Sequence, residues 1–126
     1  MIKKNQENTP EKALLNFLEC WKRKQFKKMI DFLQVTWKLE HEKRGTDIKD
    51  LLKNSFFGFK KLIYFEIKTI QTQGIFVDIE TIIKYKIQEK TFTKKIKPRI
   101  ICEIGAYQPS EKGTWGVNPI GVLREY

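Results

Sequence analysis

The chain has 126 residues, of which 40% are hydrophobic and 32% charged, with a formal net charge of +10. That length fits one domain, and that balance belongs to a globular chain rather than a disordered one. The longest apolar runs, Phe56–Phe59 and Leu62–Phe65, fall far short of the ~20 residues of a membrane span. The lysine-bearing start has no apolar stretch of the kind a secretory signal needs. The expectation is a cytoplasmic protein with no membrane partner.

Residues 1–8 read as a disordered tail and residues 9–126 as a single domain. Thr9-Pro10-Glu11 is a helix start: a capping hydroxyl, a proline at the first helical position and an acid in the first turn. Leu14, Phe17, Leu18 and Trp21 follow at helical spacing. The spacing restarts at Phe26, Met29, Ile30 and Leu33, and Trp37 extends it. The break at residues 22–25 predicts two consecutive helices, or one bent helix, each burying an apolar stripe. Residues 39–47 are polar, contain Gly45 and read as a loop. Thr46 or Asp47 then caps a third helix with Ile48, Leu51, Leu52 and Phe56 on its apolar face, and Gly58 stops it.

Beyond Gly58 the period falls to two. Ile63, Phe65 and Ile67 alternate with Tyr64, Glu66 and Lys68. Gly74 marks a turn. Ile75, Val77, Ile79, Thr81, Ile83, Tyr85 and Ile87 then share one face of a strand too long to run straight. Residues 88–98 read as a basic connector or strand end. Ile100, Cys102, Ile104 and Ala106 alternate with Arg99, Ile101 and Glu103. After a turn region, Trp115 and Val117 point inward on a last strand that ends near Pro119. Gly116 lies between them on the outer face, where the missing side chain permits close approach of a backbone or partner. Helices first, then an antiparallel meander of about four long strands, is an α+β architecture.

Few residues point to chemistry. Cys20 and Cys102 lie far apart and belong to no ligand pattern, so they read as two buried reduced thiols. A single histidine, His41, and no clustered thiols leave too few ligands for a metal, and no cofactor is implied. His41 reads as a solvated loop residue and Asp31 as a helix-surface acid. The charge excess comes from 21 lysines against four arginines. Lysine is a hydrated point charge and lacks the planar fork that reads phosphate and base edges. The basic candidates form two sets. Lys22, Arg23, Lys24, Lys27 and Lys28 cluster near the first helix junction; Lys90, Lys94, Lys95, Lys97 and Arg99 flank Phe92. Basic residues around an aromatic can hold single-stranded nucleic acid. Trp21, Trp37, Tyr85 and Trp115 are the candidates for lining an apolar pocket.

The segment from Thr9 to Leu33 followed by Val35-Thr36-Trp37, the short helix at 47–56, the long strands and the closing Gly113–Pro119 resemble the nuclear-transport-factor-2-like superfamily, the cystatin-like cone fold. The likeness spans about Thr9 to Val122 and rests on element order rather than on a catalytic signature. It implies N-terminal helices packed in a strongly curved antiparallel sheet that forms a cone. It also implies a homodimer through the outer sheet face, here Tyr64, Glu66, Lys68, Asp78, Glu80, Ile82, Lys84, Arg99, Ile101 and Glu103. Enzymes of that superfamily need an acid or histidine inside the cone beside a hydrogen-bond donor. Every inward strand position expected here lacks a carboxylate and a histidine. The expectation is therefore a noncatalytic module that binds a protein partner or a small apolar ligand and self-associates. The alternatives are a nucleic-acid-associated accessory protein using its lysines, and a small-molecule isomerase, dehydratase or cyclase.

Overall fold

The computed structural model describes residues 8–68 and 74–124. The expected disordered tail, apart from Asn8, lies outside the described residues. Helix α1 runs Pro10–Lys22, its first turn closed by Thr9, whose hydroxyl accepts from the Lys12 amide at 3.1 Å. It buries Leu14, Phe17, Leu18 and Trp21, the stripe the spacing predicts. The chain then turns through Lys24, at φ +59°, into the short α2 (Phe26–Met29) and a 3-10 turn (Ile30–Phe32).

Helix α3 spans Val35–Lys43, so most of the expected polar loop is helical. It buries no residue fully, which is why it carries no amphipathic signature. Asp47 caps α4 (Ile48–Asp50) by accepting from the Asp50 amide at 3.0 Å. The third helix then widens into a π-helical stretch, Leu51–Phe57, with Leu52 and Phe57 buried. Gly58 ends it as expected: a Cβ there would lie 1.9 Å from the Lys53 carbonyl oxygen.

The strands are β1 (Lys61–Ile67), β2 (Phe76–Asp78), β3 (Thr81–Ile87), β4 (Lys90–Ile96), β5 (Arg99–Gly105), β6 (Gln108–Pro109) and β7 (Thr114–Val117), followed by helix α5 (Pro119–Leu123). One sheet has the order β1-β3-β4; in the other β5 pairs with β2, β6 and β7. All of these pairings are antiparallel. The residues expected to be a basic connector or strand end are therefore largely a full strand, β4, the second arm of a hairpin.

That hairpin keeps one register through both sheets. It pairs Ile87 with Lys90 and Thr81 with Ile96, then Asp78 with Arg99 and Phe76 with Ile101. Between the two blocks the Ile79 amide still donates to the Pro98 carbonyl at 3.1 Å. The long strand read from the sequence thus bends at Ile79-Glu80, opposite Lys97-Pro98. Proline has no N–H for the ladder, so pairing is interrupted at that corner. Bending is concentrated there, and the sheets are neither closed nor strongly curled, in contrast to the strongly curved sheet expected.

Helix α1 packs on β1, β5 and β7, which places it against both sheets. Phe17, Trp21, Phe57, Ile79, Ile100 and Val117 are the heart of the core. Two strand assignments shift. A register change between Leu62 and Tyr64 turns Leu62 into the core and leaves Ile63 half-buried. Ile104 is 60% exposed, because the pairing of β7 with β5 stops at Glu103. Gly116 does receive a close neighbour, from within the same chain. A Cβ there would meet the Leu33 oxygen at 2.4 Å and Gln34 Cα at 2.7 Å, and the Gln34 amide donates to the Val117 carbonyl at 2.9 Å. Among the described residues no helix is long and apolar enough to cross a membrane.

Candidate functional site

The four candidate pocket aromatics do not converge. Trp21 and Tyr85 lie 6.3 Å apart, and the Trp21 indole N–H donates to the Lys60 carbonyl at 2.9 Å. The space beside them, walled by Lys60, Ile83 and Leu123, is about 40 Å³. That is room for little more than water, whereas ligand pockets occupy about 300–1,000 Å³. Trp37 sits on α3 with its ring 4.1 Å from that of His41 and 6.2 Å from that of Phe56. Trp115 pairs with Cys102 on the other sheet and is half-buried rather than sealed inside.

His41 lies in α3, not in a loop, and its Nδ1 is buried without a hydrogen-bond partner among the described residues. Cys20 and Cys102 are buried free thiols, and burial pushes both above the usual thiol range. Among the described residues no cluster of three His, Cys, Asp or Glu could hold a metal. Glu103 faces away from α1, as the alternation predicts, yet it is buried because α3 covers it. Its carboxylate accepts from the Thr36 amide at 3.0 Å and the Thr36 hydroxyl at 2.5 Å. It thereby caps α3, whose own Gln34 supplies no side-chain cap. The Tyr107 amide donates to the Thr36 hydroxyl at 2.8 Å, and the Tyr107 hydroxyl donates to Glu40 at 2.8 Å. That bond to Glu40 raises the tyrosine pKa.

Open space of ligand size lies on the surface, at the junction of α1 and α2. A groove of about 660 Å³ is lined by Lys24, Phe26, Lys49, Lys53, Asn54, Gly58 and Phe59. A neighbouring hollow of about 500 Å³ shares Lys24, Phe26 and Lys49 and adds Lys27, Lys28 and Asp31. Five ammonium groups thus border one continuous surface, with Asp31 as the acid among those lining residues. The left-handed turn at Lys24 brings the α1–α2 junction to this wall. Lys49 and Lys53, four residues apart on the α4–π segment, line the same groove. Phe26 is buried at the floor, while Phe59 is 55% exposed at the rim. The Lys60 ammonium stands 5.5 Å from the Phe59 ring centre and 5.0 Å from that of Tyr85. Burial, and then the charge of Lys94, lowers the Lys60 pKa.

Lys24, Lys27 and Lys28 are therefore brought together as expected. Lys22 is exposed beside them at the end of α1, and Arg23 pairs with Glu19 at 3.4 Å on the surface. The second basic set is divided by strand alternation. Lys94 stands over Phe92 at 5.8 Å on the inner side, and Lys95 pairs with Ile82 on the outer side. Lys97 and Arg99 lie at the corner, lining a separate hollow with Asp78. Arg99 is committed to Asp78 through two hydrogen bonds of 2.8 and 2.9 Å and lies 4.4 Å from the Phe76 ring centre. Its guanidinium holds the Asp78 carboxyl below the usual aspartate range. Sequence reading missed Lys49, Lys53, Phe59 and Lys60. The available signal was the i, i+4 lysine pair on the polar side of a helix whose apolar side is Ile48 and Leu52. No protein-family model matches this chain, and no curated protein matches it.

Proposed function

We propose that this protein is a noncatalytic binding module that holds a polyanion in the lysine-lined groove between α2 and the α4–π segment. One contrast carries the reading: about 660 Å³ beside Lys24, Lys49 and Lys53 against about 40 Å³ beside Trp21 and Tyr85. The hollow beside Trp21 and Tyr85 is small for an apolar ligand or for the substrate of an isomerase or cyclase, which favours the surface groove. Lysine walls attract negative charge without demanding a planar, bidentate partner. The test is titration of the full chain with labelled polyphosphate at low and near-physiological salt. Engaging about three to five anionic groups implies that log affinity falls against log salt with a slope of roughly −2 to −4. The triple variant Lys24→Gln, Lys49→Gln, Lys53→Gln should lose at least about tenfold in affinity at low salt. No binding by the wild type at low salt would overturn the proposal.

We also propose that the chain is related to the cone fold. That relation is supported by the bent single-register hairpin and by α1 lying against both sheets. Self-association through the outer sheet face has weaker support. Tyr64 and Ile82 offer apolar surface there, but Lys84 and Lys95 share that face. In a twofold contact residue i of one copy meets residue j of the other, so Lys84 and Lys95 would need an acid such as Glu66 of the second copy opposite them. On the other sheet, α3 already covers Glu103.

A further inference from the structure

We infer that the polyanion is a single-stranded nucleic acid, and that Phe59 is the platform on which one of its bases stacks. This inference rests on the groove reading and names the partner class for that site.

Phe59 is the observation that phosphate attraction alone leaves unexplained. Its ring is 55% exposed at the rim of a groove whose other walls carry Lys24, Lys49 and Lys53. A phenyl ring adds nothing to the binding of polyphosphate or of a chain of carboxylates. It does suit a partner that carries flat apolar groups at regular intervals along an anionic backbone. Next to it, Lys60 bridges Phe59 and Tyr85, and Tyr85 stacks on Phe92 at 5.4 Å with Lys94 over that ring. Rings and ammonium groups therefore continue to alternate away from the groove. Tyr85 is buried and Phe92 partly buried, which leaves Phe59 as the most exposed ring of this row. In a duplex the base faces are hidden in the stack, so an exposed phenyl ring selects unpaired strands. The scarcity of arginine is consistent with stacking in place of base-edge reading.

The experiment measures anisotropy at low salt with the full chain and four labelled probes. They are an oligothymidylate of about 15 nucleotides, within single-strand site sizes, an abasic strand with the same phosphates, the corresponding duplex, and polyglutamate of equal charge. The thymidylate should bind about tenfold tighter than the abasic strand. Phe59→Ala should abolish that margin while the abasic-strand affinity stays near that of wild type, and a circular dichroism spectrum and thermal melt matching wild type establish that the variant is folded. Phe59→Tyr should keep the margin. Equal affinity for the thymidylate and abasic strands, a margin that survives Phe59→Ala, or duplex or polyglutamate bound as tightly as thymidylate would each overturn the inference. Salt-sensitive binding of the abasic strand in those cases leaves the polyanion reading standing. Failure of every probe to bind at low salt ends both.

Discussion

Glu103 is 4% exposed, and a carboxylate removed from water needs compensation. The compensation is the N-terminus of α3, where unpaired amides and the helix dipole favour negative charge. Both carboxylate oxygens are engaged by Thr36. Glu103→Ala should therefore cost about 1–3 kcal/mol, since it strands a helix-end donor. Urea denaturation checks this, and an unchanged midpoint would mean that α3 holds without its cap. The inner positions Val77, Ile79, Ile83, Tyr85, Ile100 and Cys102 were legible because strict alternation persists along those stretches and they are buried as it predicts. The burial of Glu103 was not legible. Alternation tells which face a side chain is on, but not whether a distant helix covers that face.

Among the elements, α1 was readable because one of its faces is almost wholly buried, while α3 was not because none of its residues is. Strand β4 reads from the sequence only as a basic connector or strand end, because lysine and threonine fill its exposed positions and leave Phe92 and Ile96 to mark its inner side. The groove suffered the same limit, since its two walls come from segments about 25 residues apart in a chain where only one wall was read as a cluster. Strand β7 meets the link between α2 and α3 so closely that only glycine fits at position 116. The atoms in the way, the Leu33 oxygen and Gln34 Cα, are backbone. They cannot retreat without loosening the bond from the Gln34 amide to the Val117 carbonyl. Gly116→Ala should accordingly destabilise the protein by about 1–3 kcal/mol through overpacking. A thermal melt indistinguishable from wild type would show that the link moves freely.

For the whole molecule, the sequence disclosed the excess of lysine but not its arrangement. Charge is a sum, and the sum does not reveal that Lys49 and Lys53 come to line one groove with Lys24 while Arg99 is drawn to Asp78. The arrangement depends on how the two sheets are joined, and the bent hairpin joins them. Its consequence reaches to the order in which the molecule assembles. Pairing from Ile87–Lys90 outward to Phe76–Ile101 links residues that are near in sequence when each step closes. The bridge from Leu33 to Val117 must instead close a long loop at a much larger entropic cost. The turn at Gln88, held at φ +56°, is then the natural nucleus. Gln88→Gly should speed folding with little change in unfolding, whereas Gly116→Ala should chiefly speed unfolding. Stopped-flow chevrons measure both limbs, and the opposite partition would move the nucleus to the α1–β7 contact. With the hairpin as nucleus, the corner at Pro98 is made early, and the two sheets inherit their mutual angle before either terminus has found its place.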